Sequence, residues 1–134
     1  MIHSYDDLVA LLTSSDRSIN QSALIEEAPA FVWLEIIEAY PELRGIIAQN
    51  KTIPDAVIDI LSRDQDSRIR GWIAMKRKTP PEVLARLAQD DSDGVRRSVV
   101  YNVKTPDAVL ELLLEDSMPD ISAKAAQRLT KIRE

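Results

Sequence analysis

An all-α fold is what this sequence predicts: a right-handed α–α superhelix (solenoid) of about four two-helix repeats of 25–26 residues, behind an N-terminal helical cap. Three observations predict it. Proline, aliphatic and aspartate positions recur at an offset of 26 residues, each copy holds two short stretches with helical apolar spacing, and no stretch alternates convincingly as a strand does. The 134 residues suit a single domain, 1–134. Their 45% hydrophobic and 29% charged content is that of a soluble globular chain rather than a disordered or membranous one.

The expected cap occupies 1–27. Ser4 opens an S-x-x-D pattern before the apolar run to Leu12, and Asp16 is placed to cap a helix reaching Glu27. Repeats at 28–53, 54–79, 80–105 and 106–132 follow. Pro54, Pro80 and Pro106 are in register, as are Val57, Val83 and Val109, then Ile58, Leu84 and Leu110, then Leu61, Leu87 and Leu113. Asp64, Asp90 and Asp116 align, and so do Ile69, Val95 and Ile121, with Ile73, Val99 and Ala125 closing the unit. The first copy matches through Pro29, Val32, Trp33 and Ile36 at an offset of 25, and through Leu43, Arg44, Gly45, Ile47 and Ala48 at 26. Its inner loop is therefore one residue shorter.

Each copy divides into two helices. In the third, Val83, Leu84 and Leu87 share one face, and Val95, Val99 and Val100 form the stripe of the second helix. Thr79 is the expected N-cap, Pro80 the N1 residue and Glu82 the last member of a capping box. Thr105-Pro106 repeats that start without the Glu. Asp90-Asp91-Ser92-Asp93 interrupts the pattern and supplies a cap for the second helix. About ten helices are expected in all. A lone hairpin buries too few aliphatic side chains to offset the entropy of ordering its residues, so the copies must stack.

The segment TPPEVLARLAQDDSDGVRRSVV resembles the leucine-rich repeat variant, a relative of the HEAT-like α-solenoids, and the likeness covers roughly 28–129. In HEAT-like repeats the recurring Asp and Arg form a ladder between neighbouring units. The resemblance implies bonds from Arg44, Arg70 and Arg96 to Asp64, Asp90 and Asp116. Ser122 stands where the last Arg is expected and Pro119 falls in the loop, as suits a terminal cap. The founding member of the family carries a Cys-ligated iron–sulfur cluster. This chain has no Cys, so the resemblance brings no cofactor with it.

The absence of Cys also excludes disulfides, thiolate zinc sites and a Cys nucleophile, and it fits a reducing, cytoplasmic location. His3 is the single histidine and lies at the chain end, leaving no metal cluster and no base for a nucleophilic Ser. Gly45, Gly71 and Gly94 are too sparse for a phosphate-binding loop. Asp6-Asp7 and Glu26-Glu27 are adjacent pairs that diverge on a helix. Asn20-Gln21-Ser22 is formally a glycosylation acceptor, without the secretory context to use it. Neither a signal-peptide pattern nor a membrane-length apolar run occurs. No catalytic residue, metal ligand or cofactor is expected, and the chain reads as a non-enzyme.

Slots that vary between repeats are the informative ones, because stacking does not dictate them. On the second helices one such slot holds Ile46, Trp72, Ser98 and Lys124, and another holds Gln49, Met75, Tyr101 and Gln127. In α-solenoids these helices commonly line the concave face, and Trp, Tyr, Met and Arg are enriched at interface centres. Trp72, Met75, Lys76, Arg97, Tyr101, Asn102 and Lys124 are the candidate partner-binding residues. Charge is uneven along the chain. Residues 1–50 hold eight acids and two bases, a net charge of −6, whereas 51–134 hold 14 acids and 15 bases, net +1.

The expected partner is another protein with a basic surface, a toxin or a client. Small acidic bacterial proteins of this look resemble immunity proteins that neutralise a basic toxin such as a nuclease. Two alternatives stand beside that reading. One is a nucleic-acid module or DNA-glycosylase-like protein using the basic stretch at 68–78, which a pI near 4.9 disfavours. The other is a lyase or chaperone for a cofactor-bearing protein.

Overall fold

The computed structural model describes residues 5–14 and 27–133. Among these the chain is entirely helical, with nine α-helices, one 3-10 turn and no strand. His3, Ser4, the Asn20-Gln21-Ser22 triplet and most of the helix expected from Asp16 lie outside the described residues. The chain divides into two compact units, Met1–Leu61 and Ser62–Glu134. That division falls between the two helices of the repeat expected at 54–79.

In the first unit, α1 (Tyr5–Leu12) buries Leu8 and Leu12 and packs on α2 (Ala30–Ala39). The apolar spacing of α2 turns Val32, Trp33 and Ile36 inward, and the Trp33 indole N–H donates to the Ala28 carbonyl at 3.1 Å. Buried Trp keeps a partner for its one donor. The shortened inner loop becomes a 3-10 turn at Pro41–Leu43, with Leu43 N–H on Tyr40 O at 2.9 Å, which runs straight into α3 (Arg44–Ala48). Helix α4 (Asp55–Leu61) presents Val57, Ile58 and Leu61 to the core of this unit and packs against α2 and α3.

The second unit holds α5 (Ser67–Met75), α6 (Pro81–Leu87), α7 (Asp93–Tyr101), α8 (Asp107–Leu113) and α9 (Pro119–Arg133). Here α5 lies along α7 and α7 along α9, while α6 lies on α8. Second helices thus meet second helices, and first helices meet first. The offset of 26 explains the core directly: Val83, Leu84 and Leu87 of α6 and Val109, Leu110 and Leu113 of α8 are all buried, as are Ile69 and Ile73 of α5 and Val95 and Val99 of α7.

Two helix starts differ from the sequence expectation. Thr79 is not the N-cap of α6. Pro80 is, in an extended conformation (φ −59°, ψ 148°), with Pro81 at N1 and no side-chain cap. A residue before proline is pushed out of the helical region, so Pro81 forces the start one residue later. The Thr79 hydroxyl donates backwards to Ile73 O at 2.6 Å, closing the end of α5, and Thr105 does the same to Val99 O at 2.6 Å. Pro119 lies not in a loop but at the first position of α9, where its missing N–H costs nothing.

Candidate functional site

Within the second unit each repeated Asp and Arg makes several bonds. Asp64, Asp90 and Asp116 each accept, through Oδ1, the backbone N–H two residues on, at 2.9 Å from Asp66, Ser92 and Met118. This Asx turn shapes the loop before each second helix. Arg70 then grips two loops at once. Its Nη1 donates to Asp64 O at 2.7 Å, and its Nε and Nη2 donate to the Asp90 carboxylate at 2.8 and 3.0 Å. Arg96 repeats the pattern on Asp90 O at 2.8 Å and on Asp116 at 2.8 and 3.4 Å. Arg44 belongs to α3 in the first unit, and Asp64 to the start of the second.

Burial pushes the Asp90 carboxyl up. The hydrogen bonds from Arg70 and the Ser92 N–H, together with the Arg70 charge, outweigh that and hold it below the usual carboxylate range. The Arg70 and Arg96 side chains remain only 15% exposed, so these guanidiniums are committed to the fold.

Two of the expected binding residues are committed as well. Asn102 is 5% exposed; its amide donates to Ala74 O and Lys76 O, both at 2.8 Å, and its carbonyl accepts from Lys104 N–H at 2.9 Å. It closes the C-terminus of α5 from the neighbouring repeat. One repeat later, Arg128 does the same for α7, donating to Val100 O at 2.9 Å and Asn102 O at 2.8 Å. Asn102 and Arg128 stand 26 residues apart and both close the second helix of the repeat before them. Arg97 bridges Asp120 at 2.6 and 3.2 Å and Asp93 at 3.0 Å, and these carboxylates raise its already high pKa.

The other candidates gather at the C-terminal ends of α5 and α7. A cleft of about 150 Å³ is lined by Met75, Arg77, Ser98, Tyr101, Asn102 and Val103. Met75, Tyr101 and Val103 are 61%, 57% and 61% exposed, far more than their apolar surface favours in water. Trp72, one turn before Met75 on α5, is 36% exposed. Lys124 of α9 holds its ammonium 5.1 Å from the centre of the Tyr101 ring, a cation–π contact, and donates to Gln127 Oε1 at 3.0 Å. In the sequence Ser98 stands only as a member of a variable slot and Arg77 only within the basic stretch 68–78, and Val103 is not marked at all. Val103 sits in a loop after the helix, where apolar periodicity carries no information.

The basic stretch 68–78 does not form one surface. Arg68 folds onto its own Asp66 at 2.9 Å, and Arg70 is held in the ladder. Of the basic residues in this stretch, Arg77 lines the cleft. In the first unit, Asp6, Asp7, Glu27, Glu35, Glu38, Glu42 and Asp55 are all exposed.

Among the described residues no group of three or more His, Cys, Asp or Glu is placed to hold a metal ion, and no helix is long and apolar enough to cross a membrane. Comparison with protein-family models, curated proteins and solved structures gave no match.

Proposed function

We propose that this chain is a non-enzymatic protein-binding module, a solenoid of stacked helical hairpins that presents the ends of its second helices to a partner. The cleft carries this reading. Met75, Tyr101 and Val103 stand exposed around it, in positions that helix stacking leaves free to vary. A tyrosine, a methionine and a nearby Trp72 are the side chains that dominate interface energetics. The first unit adds exposed carboxylates, which attract a basic protein at long range. An acidic inhibitor of the immunity type, blocking a basic toxin, is the specific role that this charge supports. The nucleic-acid reading loses ground because Arg68 and Arg70 are already paired within the chain.

The test is capture from native lysate with the tagged full-length protein and two sets of surface variants. The expected result is a basic protein retained at low salt, released as salt rises, and lost with Glu35→Lys/Glu38→Lys or with Tyr101→Ala. Retention unaffected by both sets of substitutions, or no retained protein, would overturn the proposal.

A further inference from the structure

The charges of the second unit are sorted by position. Residues 67–81, 94–106 and 121–133, which hold α5, α7 after Asp93, α9 after Asp120 and the loops after α5 and α7, contain no carboxylate. The acids of this unit lie in the loops before those helices, in the first turns of α7 (Asp93) and α9 (Asp120), on the first helices, and at Glu134, with Glu82, Asp93 and Asp107 the nearest in chain to the cleft. The guanidiniums towards the acidic loops, those of Arg70, Arg96 and Arg97, are taken up by carboxylates. Arg77, Lys78, Lys104 and Lys124 have no carboxylate partner among the described residues.

The other polar groups of the cleft are also spoken for. Both donors of Asn102 are on carbonyls, and the Ser98 hydroxyl donates to Gly94 O at 3.1 Å. Because Asn102 covers the α5 terminus, an incoming anion does not face bare carbonyl oxygens there. What remains at the cleft is mainly apolar surface, the Tyr101 hydroxyl and a donor-only cation, Arg77, whose planar fork suits a carboxylate.

We infer that the cleft takes an acidic peptide segment of a partner protein, anchored by an aliphatic or aromatic residue between Met75, Tyr101 and Val103, with its carboxylates on Arg77 and Lys124. The inference rests on the reading of the cleft as a protein-binding surface and names its ligand chemistry. The two units then carry opposite preferences: the first for a basic surface, the second for an acidic segment.

The experiment is selection of randomised peptides displayed on phage against the full-length protein, followed by fluorescence anisotropy with the enriched peptides. Enriched peptides should be net negative with one large apolar residue. Their affinity should fall about tenfold or more with Tyr101→Ala and with Arg77→Glu, while Tyr101→Phe binds as the wild type does. Unchanged thermal melting of each variant separates lost binding from lost folding. Enrichment of neutral or basic peptides, no enrichment, or affinity indifferent to both substitutions would overturn the inference. So would a single-stranded oligonucleotide that competes equally well, since the cleft would then be a general polyanion site. A captured protein partner that depends on Tyr101 yet offers no acidic segment would sink the ligand assignment alone. A partner indifferent to Tyr101 would sink the protein-binding reading of the cleft with it.

Discussion

At the scale of single residues, the side chains with most to lose are those holding two partners at once. Arg70→Ala would leave the Asp90 carboxylate with only the Ser92 N–H and take the guanidinium donor from the Asp64 carbonyl, at a cost of about 2–3 kcal/mol by denaturant unfolding at neutral pH. The same pair gives a pH dependence. Asp90 is held below its unfolded value, about 3.9, so its contribution is complete above that pH and is lost as pH falls through the folded value. Unfolding midpoints measured between about pH 5 and pH 2 should therefore drop more steeply in the wild type than in Asp90→Asn. Asn102 distinguishes a structural from a binding role. Asn102→Ala should cost about 1–3 kcal/mol by removing the amide donor from the buried Ala74 carbonyl and one of two donors from that of Lys76, whereas an exposed binding residue would melt unchanged when truncated.

At the scale of elements, α5 and α7 are each finished by a threonine of their own repeat and a side chain of the next. Thr79 and Asn102 close α5, while Thr105 and Arg128 close α7. Those helices are nine residues long, too short to persist in water unaided. Apolar packing supplies the rest. Leu87 is 1% exposed at the centre of α6, and Leu87→Ala should cost about 2–5 kcal/mol through the cavity it leaves, read from the shift in the urea midpoint. The paired helices and their alignment are legible from the spacing of Val83, Leu84 and Leu87. The cap arrangement is not, because Thr79 resembles an N-cap in sequence while Pro81 moves the helix start past it. Whether a Thr hydroxyl turns forwards or backwards is decided by which carbonyls lie within reach.

At the scale of the whole molecule, the two units are built to different standards. The second repeats Asp–Arg links and the Asn102 and Arg128 closures along it, whereas the first, which has an Asx turn at Asn50, contains a five-residue α3 and a 3-10 turn. Local opening free energy follows such differences. Hydrogen exchange should accordingly be slower for the buried amides of α5–α8 than for those of α1–α3, and equal protection throughout would show that the links add little. The net charge of −5 is likewise not spread evenly, and association of the first unit with a basic protein should weaken as salt rises, read as a falling affinity between low and physiological ionic strength.

The amino-acid order alone determined the helical class, the 26-residue recurrence, and which aliphatic residues face inward, because burial of one stripe per helix imposes a spacing that is visible without coordinates. The tertiary structure decided which polar side chains are free. Asn102 and Arg97 read as surface residues along the chain, yet one ends buried on two carbonyls and the other lies between two carboxylates. Met75, Tyr101 and Val103, by contrast, are left in water. Hydrogen-bond partners more than twenty residues apart are assigned by how helices lie against each other, and no local pattern encodes that distance.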